Sequence, residues 1–359
     1  MSNFNDLFSK TKKLVGLDIG SNSIKLAEVI DTSNGQILNR FSQMPLAKGI
    51  ITEGVINDTR ALSSKIKELF KKSGCRSKSV VTALSGNSVV VKKVTFAQMD
   101  DAELQDLIRD EAGKYLPFDS MDEVNYDFQV LGDNEYNPNQ MDVIIVAAKK
   151  DIVNAYVEAT TSAGLNVAIM DIDSFALETM YEANYDYGDN EVVVIVRIGA
   201  DLTNIIVIKG GMSIFTRDLT LGGNSITESL QEKYGVSFEE AEAIKLEGLP
   251  GSDQDNADLR NSILDFADPI CTEIERSIDY FRSTFGGEYI QRVLLAGGSS
   301  RISGLTANLS QRLNLETELI NPLLKIGFNK RNIEPKTLET IKPVAAVAIG
   351  LGLRRIGDK

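Results

Sequence analysis

The sequence of 359 residues contains no histidine and only two cysteines. Without histidine the chain cannot form a Ser-His-Asp hydrolase, a Cys-His protease or a histidine-ligated zinc or haem site. The two cysteines, Cys75 and Cys271, lie far apart in the chain and indicate neither a disulfide framework nor a metal cluster. The function must therefore use groups other than an imidazole or a thiolate cluster.

Long apolar runs and an excess of positive charge are also missing. No stretch approaches the roughly 20 apolar residues that span a bilayer, and the N-terminus lacks the apolar centre of a signal peptide. The formal net charge of −13 argues against binding to a nucleic-acid backbone, which needs a basic surface. We expect a cytoplasmic protein that does not bind nucleic acid and meets a membrane only indirectly.

Two segments of the chain resemble each other. The stretch "VGLDIGSNSIKLAEV" (15–29) and the stretch "VVVIVRIGADLTNIIVI" (192–208) both read as strand, glycine loop, strand. Laid over each other, they align Gly20 with Gly199, and they place Arg197 where the first copy has Asp18. A single duplication at this long spacing predicts two related domains and not a repeat array.

The stretch between the two copies has its own alternation of strand and helix patterns. We assign residues 77–150 to an inserted subdomain. The first domain then comprises 1–76, 151–190 and 340–359, and the second, with helices of its own, comprises 191–339. The acidic stretches 131–140 and 248–258 read as exposed loops. In the second domain, "SFEEAEAIKLEG" (237–248) begins with a capping box, and "DPICTEIERSIDYFRS" (268–283) predicts a helix with Pro269 in its first turn.

Three glycine loops have the chemistry to hold phosphate. We call "DIGSNSIK" (18–25) the first glycine loop, "RIGADLTN" (197–204) the second and "AGGSSR" (296–301) the third. Glycine lets the backbone approach an oxyanion, a helix N-terminus after a glycine turn can seat a nucleotide, and Asp18 could hold magnesium through water. Taken singly, the first loop is equally consistent with an ordinary hairpin turn, and the third with a plain tight turn.

The order and spacing of these segments resemble the actin-like ATPase superfamily over nearly the whole chain. The resemblance implies an α/β fold in which two duplicated, ribonuclease H-like domains enclose a cleft for ATP or ADP with Mg²⁺. It also implies that "DIDSFALETM" (171–180) and "PVAAVAIGLGL" (343–353) are the connecting helices of the hinge. The resemblance implies that Glu242 and Lys245 lie at the ribose. The other cofactor-binding residues that it implies are Gly20, Ser21, Asn22, Ser23, Lys25, Arg197, Gly199, Ala200, Gly222, Gly223, Gly297, Gly298, Ser299 and Arg301.

Two further stretches resemble the PilM family of type IV pilus assembly. They are "FNDLFS" (4–9) before the first loop and "EAGKYLPFDSMDEVNYDFQVL" (111–131) in the inserted subdomain. This resemblance implies an ATP-binding adaptor at the inner membrane that binds the N-terminal cytoplasmic tail of PilN in a groove involving the inserted subdomain. It leaves open contacts with other pilus platform proteins and assembly ATPases, and self-association. The alternatives are a filament-forming protein like FtsA and a phosphohydrolase like the exopolyphosphatases.

Arg197 is the main departure from active members of the superfamily, in which this position is an aspartate that helps to organise magnesium and water. We therefore expect nucleotide binding with weak or no hydrolysis. Arg197 is predicted to contact phosphate and to pair with Asp18 when the cleft is empty. The alternative is a stem packed at the strand end with its head in solvent or on a structural acid. Asp173 is a candidate for positioning water, and a structural role at a helix start is equally consistent with its place.

Overall fold

The computed structural model describes residues 14–134, 137–248, 253–286 and 288–358, so that the "FNDLFS" segment lies outside the described residues. The strands are β1 (Leu14–Ile19), β2 (Ser23–Thr32), β3 (Gly35–Pro45), β4 (Ile51–Thr52), β5 (Val55–Ile56), β6 (Ser79–Leu84), β7 (Val89–Ala97), β8 (Val124–Asn134), β9 (Asn137–Lys149), β10 (Asn166–Ile172), β11 (Val192–Ile198), β12 (Thr203–Lys209), β13 (Met212–Leu219), β14 (Ile290–Ala296), β15 (Glu316–Leu319) and β16 (Gly327–Phe328). The helices are α1 (Thr59–Ser73), α2 (Asp101–Tyr115), α3 (Lys150–Ser162), α4 (Asp173–Asn184), α5 (Gly223–Tyr234), α6 (Phe238–Glu247), α7 (Asp253–Thr284), α8 (Leu305–Leu313) and α9 (Leu338–Leu353).

Two sheets carry the duplication that the sequence predicts. The first has the strand order β10-β6-β1-β2-β3-β16 and the second the order β13-β12-β11-β14-β15. In each sheet a meander of three antiparallel strands is extended by parallel strands on the side of its first strand. Every residue of β1 and of β11 is buried, which explains why both strands read as almost continuous apolar runs. Because β1 and β11 hold equivalent central positions, the first two glycine loops that follow them also hold equivalent positions.

The two predicted connecting segments form α4 and α9, which pack against each other between the sheets. One apolar core contains residues of both helices and of strands from both sheets, among them Val81, Leu177, Ile195 and Ile349. The helices approach closely because small residues face one another. A Cβ atom added at Gly350 would collide with the backbone carbonyl of Ala176. Such a contact permits only glycine, so the small-residue composition of α9 follows from its packing.

The inserted subdomain is smaller than the sequence indicates. Strands β7, β9 and β8 form a separate three-stranded sheet, on which α2 packs through residues such as Leu104, Ile108 and Ala112. Strand β6, which lies inside the predicted range 77–150, pairs instead with β1 and β10 in the first sheet. Likewise, β16 lies inside the range 191–339 but pairs with β3. An apolar strand pattern does not specify its partner strand, so these boundaries depended on tertiary pairing.

The helices of the second half differ from the sequence prediction in one place. Helix α6 begins with the predicted capping box of Ser237 and Glu240. Helix α7, however, starts at Asp253 and contains Pro269 in its interior, so the prediction that Pro269 lies in the first turn was wrong. Residues 253–258, predicted as part of an exposed loop, form the first turns of α7. Proline can be accommodated inside a long helix when the rest of the helix is held by packing, here by Ile263, Ile270 and Ile274. Within the described ranges, no helix has the length and apolarity to cross a membrane.

Candidate functional site

The three glycine loops meet at one cleft between the two sheets. Its volume is about 830 Å³, within the usual size of small-molecule sites. The predicted residues that line it are Asp18, Gly20, Ser21, Asn22, Ser23, Lys25, Arg197, Gly199, Ala200, Glu242, Lys245, Gly297, Gly298, Ser299 and Arg301. The remaining three, Asp173, Gly222 and Gly223, are not among its lining residues. Residues far apart in sequence thus converge on one cleft.

The first two glycine loops have the same backbone geometry. In the first loop the Gly20 N–H donates a hydrogen bond to the Ser23 carbonyl at 3.1 Å. In the second loop the Gly199 N–H donates to the Leu202 carbonyl at 2.9 Å. The first residue of each loop is paired in register with a residue of the next strand, Asp18 with Lys25 on β2 and Arg197 with Asn204 on β12. The duplication therefore extends to the turn itself.

Four charged side chains form an acid–base cluster beneath the loops, and we use this name for Asp18, Lys25, Asp173 and Arg197. The Lys25 ammonium donates to Asp18 Oδ2 at 2.9 Å. The Arg197 guanidinium lies 2.9 Å from Asp173 Oδ2 and 3.9 Å from Asp18 Oδ1. All four residues are buried, with exposed fractions between 3% for Asp18 and 9% for Lys25 and Arg197. The predicted contact between Arg197 and Asp18 is present, but Asp173 is the closer partner.

Arg197 is further fixed from β12. Its guanidinium donates to Asn204 Oδ1 at 2.8 Å, and Asn204 in turn donates to Asp218 Oδ1 at 2.7 Å. Burial by itself would lower the pKa of Arg197, but the carboxylates of Asp173 and Asp18 outweigh this effect and raise it. Burial raises the pKa of Asp173 to about 6, although the neighbouring guanidinium opposes the shift. The arginine therefore stays charged and is held in one place by several acceptors.

Asp173 is the first residue of α4 and not its N-cap, and its carboxylate makes no capping bond to the helix. Instead it connects the first connecting helix to the second glycine loop through Arg197. A water-positioning role would need a free carboxylate oxygen directed into the cleft. Asp173 does not line the cleft, so the geometry favours its role as a partner of Arg197.

The third glycine loop joins the second sheet to the hinge. Gly297 has a φ of +91°, in the region that favours glycine, and a Cβ atom there would collide with the Ile198 carbonyl. Its N–H donates to the Pro343 carbonyl of α9 at 2.8 Å. Ser299 Oγ lies 3.4 Å from the Gly199 carbonyl, where it can donate to the second glycine loop. A ligand against this loop would therefore contact both the second sheet and the connecting helix.

Glu242 and Lys245 lie on α6 and form a paired group at the edge of the cleft. Lys245 Nζ donates to the Gly223 carbonyl at 3.0 Å, to Thr227 Oγ1 at 2.8 Å and to the Glu242 carboxylate. Lys245 is only 4% exposed, and burial lowers its pKa. Gly223, which does not line the cleft, contributes by accepting this bond and by donating its N–H to the Gly199 carbonyl at 2.9 Å.

A set of polar contacts that the sequence did not indicate links the two halves beside the cleft. Asn22 Nδ2 donates to Asn224 Oδ1 at 2.7 Å, and Asn224 Nδ2 donates to Asp201 Oδ1 at 2.6 Å. The Glu53 N–H donates to the other oxygen of Asp201 at 3.2 Å. We call Asn22, Asn224 and Asp201 the cleft latch. Asn22 and Asp201 lie in glycine loops, but Asn224 could be identified only from the folded chain.

The donor set of this cleft fits a nucleotide but not a magnesium ion. Glycine loops, hydroxyls and buried cations are suited to phosphate. Asp18, however, is bonded to Lys25 at one carboxylate oxygen, and the Arg197 guanidinium lies 3.9 Å from the other. Two unit charges about 4 Å apart interact by about 4 kcal/mol at an effective dielectric near 20, so a divalent ion beside Arg197 would meet a repulsion of about twice that. In the described part of the chain, no group of three acidic or cysteine side chains is arranged to hold a metal.

Comparison with known proteins gives one family and several related structures. The family model described as type IV pilus assembly protein PilM matches residues 16–356. A structure of a PilM-PilN type IV pilus biogenesis complex is 28% identical, covers 95% of this chain and 98% of its own, and has a TM-score of 0.81. Ethanolamine utilization protein EutJ from Carboxydothermus hydrogenoformans is 16% identical, with coverage of 94% and 88% and a TM-score of 0.56. MreB 5 of Spiroplasma citri bound to AMPPNP is 13% identical, with coverage of 94% and 94% and a TM-score of 0.52. The latter two share the fold, and the predicted actin-like fold class is confirmed.

Proposed function

The chain belongs to the family of the type IV pilus assembly protein PilM, and we propose that it is a nucleotide-binding adaptor that holds the N-terminal cytoplasmic segment of a PilN protein. The observation that carries this proposal is the likeness to the PilM-PilN complex over 95% of the chain at a TM-score of 0.81. The protein would act in the cytoplasm and associate with the inner membrane through this partner. The FtsA-like and exopolyphosphatase-like alternatives gain no support from the family match.

ATP or ADP would occupy the cleft between the two sheets. The first and second glycine loops would hold the phosphates through backbone N–H groups and the hydroxyls of Ser21 and Ser23. Glu242 and Lys245 would flank the ribose, and the third glycine loop would lie against the adenosine. This placement is supported by the convergence of all three loops on one cleft of about 830 Å³.

Hydrolysis of the bound nucleotide would be weak or absent. Asp173, the side chain considered for positioning water, is held by Arg197 at 2.9 Å. Strand β11 contains no aspartate that could replace the missing one, and the residue paired in register with Arg197 on β12 is Asn204. The nucleotide would then serve to hold the two sheets together, and the adaptor would not depend on turnover.

The inserted subdomain offers an edge for an extended peptide. Strand β8 lies at one edge of the three-stranded sheet, so one side of its backbone is unpaired within that sheet. Its apolar residues Tyr126 and Phe128 are partly buried, and Val130 is 38% exposed. A peptide added along such an edge gains main-chain hydrogen bonds, while side chains provide specificity. We propose this edge as part of the PilN groove.

Calorimetry with a synthetic peptide of the PilN N-terminus, with and without ATP, tests the proposal. We expect binding by the full chain and a loss of about tenfold or more for Val130→Glu, because the charge would be buried in the groove. Met212→Glu is the matched control, since Met212 is an exposed apolar residue on β13, the edge strand of the other half. Absence of binding to the unchanged protein would contradict the adaptor function. Equal losses for both variants would contradict only the place of the groove.

A further inference from the structure

The space between Asp18 and Asp173 is occupied by a side chain of the protein itself. The Arg197 guanidinium reaches Asp173 Oδ2 at 2.9 Å and Asp18 Oδ1 at 3.9 Å, and it is only 9% exposed. Asn204 accepts a further hydrogen bond from it at 2.8 Å. A buried guanidinium that is hydrogen-bonded to Asn204 and ion-paired with Asp173 has little freedom to leave. The guanidinium therefore supplies a permanent positive charge between Asp18 and Asp173, where a metal ion would otherwise have to supply it.

The second oxygen of Asp18 is also engaged. Lys25 Nζ donates to Asp18 Oδ2 at 2.9 Å, and the exposed fraction of the lysine is 9%. Magnesium needs a nearly octahedral shell of oxygen ligands at about 2.0–2.1 Å. To be ligated directly by Asp18 it would have to displace an ammonium group from one oxygen or approach a guanidinium 3.9 Å from the other, and a water-bridged ion would still meet the repulsion of Arg197. Asp18 is thus already neutralised by fixed cations.

On the basis of the proposed nucleotide site, we infer that this cleft binds its nucleotide without a divalent cation, with Arg197 and Lys25 as built-in counter-ions of the acidic side chains. The charges of the acid–base cluster cancel, two acids against two bases. The first glycine loop, with Ser21, Asn22 and Ser23 lining the cleft, then contacts the phosphates next to a cluster whose formal charges sum to zero. Arginine and lysine are the side chains that carry this charge best, since both remain protonated at neutral pH.

The test compares nucleotide affinity in two buffers. The full-length protein is freed of bound nucleotide and titrated with ATP by calorimetry, once in excess EDTA and once in excess magnesium chloride. We expect the two dissociation constants to agree within about threefold, whereas a site that depends on the metal would lose about tenfold or more in EDTA. Binding only in the presence of magnesium would overturn the inference and leave the proposed nucleotide site intact. Absence of binding in both buffers would overturn the nucleotide site and the inference together.

A variant gives the converse result. Arg197→Gln removes the charge and keeps an amide that can bond to Asn204, so that Asp18 Oδ1 no longer has a cation beside it and a metal at the cleft would meet less repulsion. We expect this variant to bind ATP about tenfold more tightly with magnesium than with EDTA. Arg217→Gln on β13 is the control, because Arg217 is more exposed and lies in the same sheet, and it should behave like the unchanged protein. Equal affinity of Arg197→Gln in both buffers would contradict the role assigned to Arg197.

Discussion

At the scale of single residues, the duplicated loops keep their backbone and change their charges. Gly20 and Gly199 make the same turn bond, but Asp18 faces Lys25 while Arg197 faces Asn204. The glycines are kept because the turn itself requires them. The charged position is free to change as long as the buried charge finds a partner, and Asp173 supplies that partner at 2.9 Å.

A partly buried acid, Glu178 of α4, makes the free energy of unfolding depend on pH. Its carboxylate accepts the Ser213 N–H of β13 at 3.2 Å. Burial, with Glu182 on the same helix, raises the pKa of Glu178 to about 7, while Arg354 opposes the shift and Asp171 adds to it. The pKa of Glu178 in the folded state lies above its ordinary value, so the protonated carboxyl group favours the folded state. This contribution to the free energy of unfolding is fully present below about pH 4.5 and is lost as the pH rises through about 7.

We therefore expect Glu178→Gln to stabilise the protein at high pH only. The gain in the free energy of unfolding should be about 1–3 kcal/mol at about pH 8 and close to zero near pH 4.5. Urea unfolding across this pH range measures the difference. Glu158→Gln, at an exposed glutamate of α3, is the control and should not change the pH dependence. A gain for Glu178→Gln that does not vary with pH would contradict the assignment.

At the scale of elements, the contact between α4 and α9 decides the geometry of the hinge. Both helices pack their small residues face to face, and the core that they share includes strands of both sheets. Intrinsic helix propensity favours alanine over glycine by about 1 kcal/mol at an interior position. Close packing against the Ala176 carbonyl opposes it at Gly350. The two effects have opposite signs, which makes the position informative.

Gly350→Ala is expected to destabilise the protein by about 1–3 kcal/mol, because the added methyl group collides with backbone that cannot move aside. The melting temperature and the urea midpoint measure the loss. Gly188→Ala is a matched control, since no atom lies within 4 Å of the Cβ position there. The control should change stability by no more than about 0.5 kcal/mol. If Gly350→Ala raised the melting temperature, propensity would outweigh packing and the close approach would be refuted.

At the scale of the whole molecule, the cleft latch joins the first glycine loop of one half to the second glycine loop and α5 of the other. Asn224 is its central member, because it accepts from Asn22 at 2.7 Å and donates to Asp201 at 2.6 Å. A second bridge, between Lys48 and Glu228 at 2.7 Å, has both side chains more than half exposed. Exposed ion pairs contribute little to stability, so we attribute the contact between the two halves at this point to Asn22 and Asn224.

Asn224→Ala should make opening of the cleft more frequent. Loss of one hydrogen-bonding side chain costs about 0.5–1.5 kcal/mol, so amide exchange in the first glycine loop should accelerate by about two- to tenfold. Hydrogen–deuterium exchange measured by mass spectrometry reports this change without any ligand. Glu228→Gln, which weakens only the exposed bridge, is the control and should leave the exchange unchanged. Equal acceleration in both variants would show that the latch has no special role.

Much of the fold followed from local patterns, and much of the site did not. The apolar runs, the glycine turns and the capping box of α6 predicted their elements, because each depends on neighbours in sequence. The boundaries of the inserted subdomain were misplaced at β6, and the helix containing Pro269 was predicted too short. In both cases the deciding contacts came from distant residues. A single sequence contains the elements but not their partners.

The sequence by itself determined the duplication and the glycine loops, since these are local consequences of residue type. The actin-like fold class and the fifteen predicted residues that line the cleft rested on the resemblance of these loops and their order to the actin-like superfamily. Only the tertiary structure decided how the charges are paired. The fold brings Asp173 to Arg197, bonds Lys25 to one oxygen of Asp18, places Arg197 3.9 Å from the other, and joins Asn22 to Asn224 between the two halves. The physical reason is that the partner of a buried charge is set by distance in space, and residues separated by many positions become neighbours only when the sheets and connecting helices have packed.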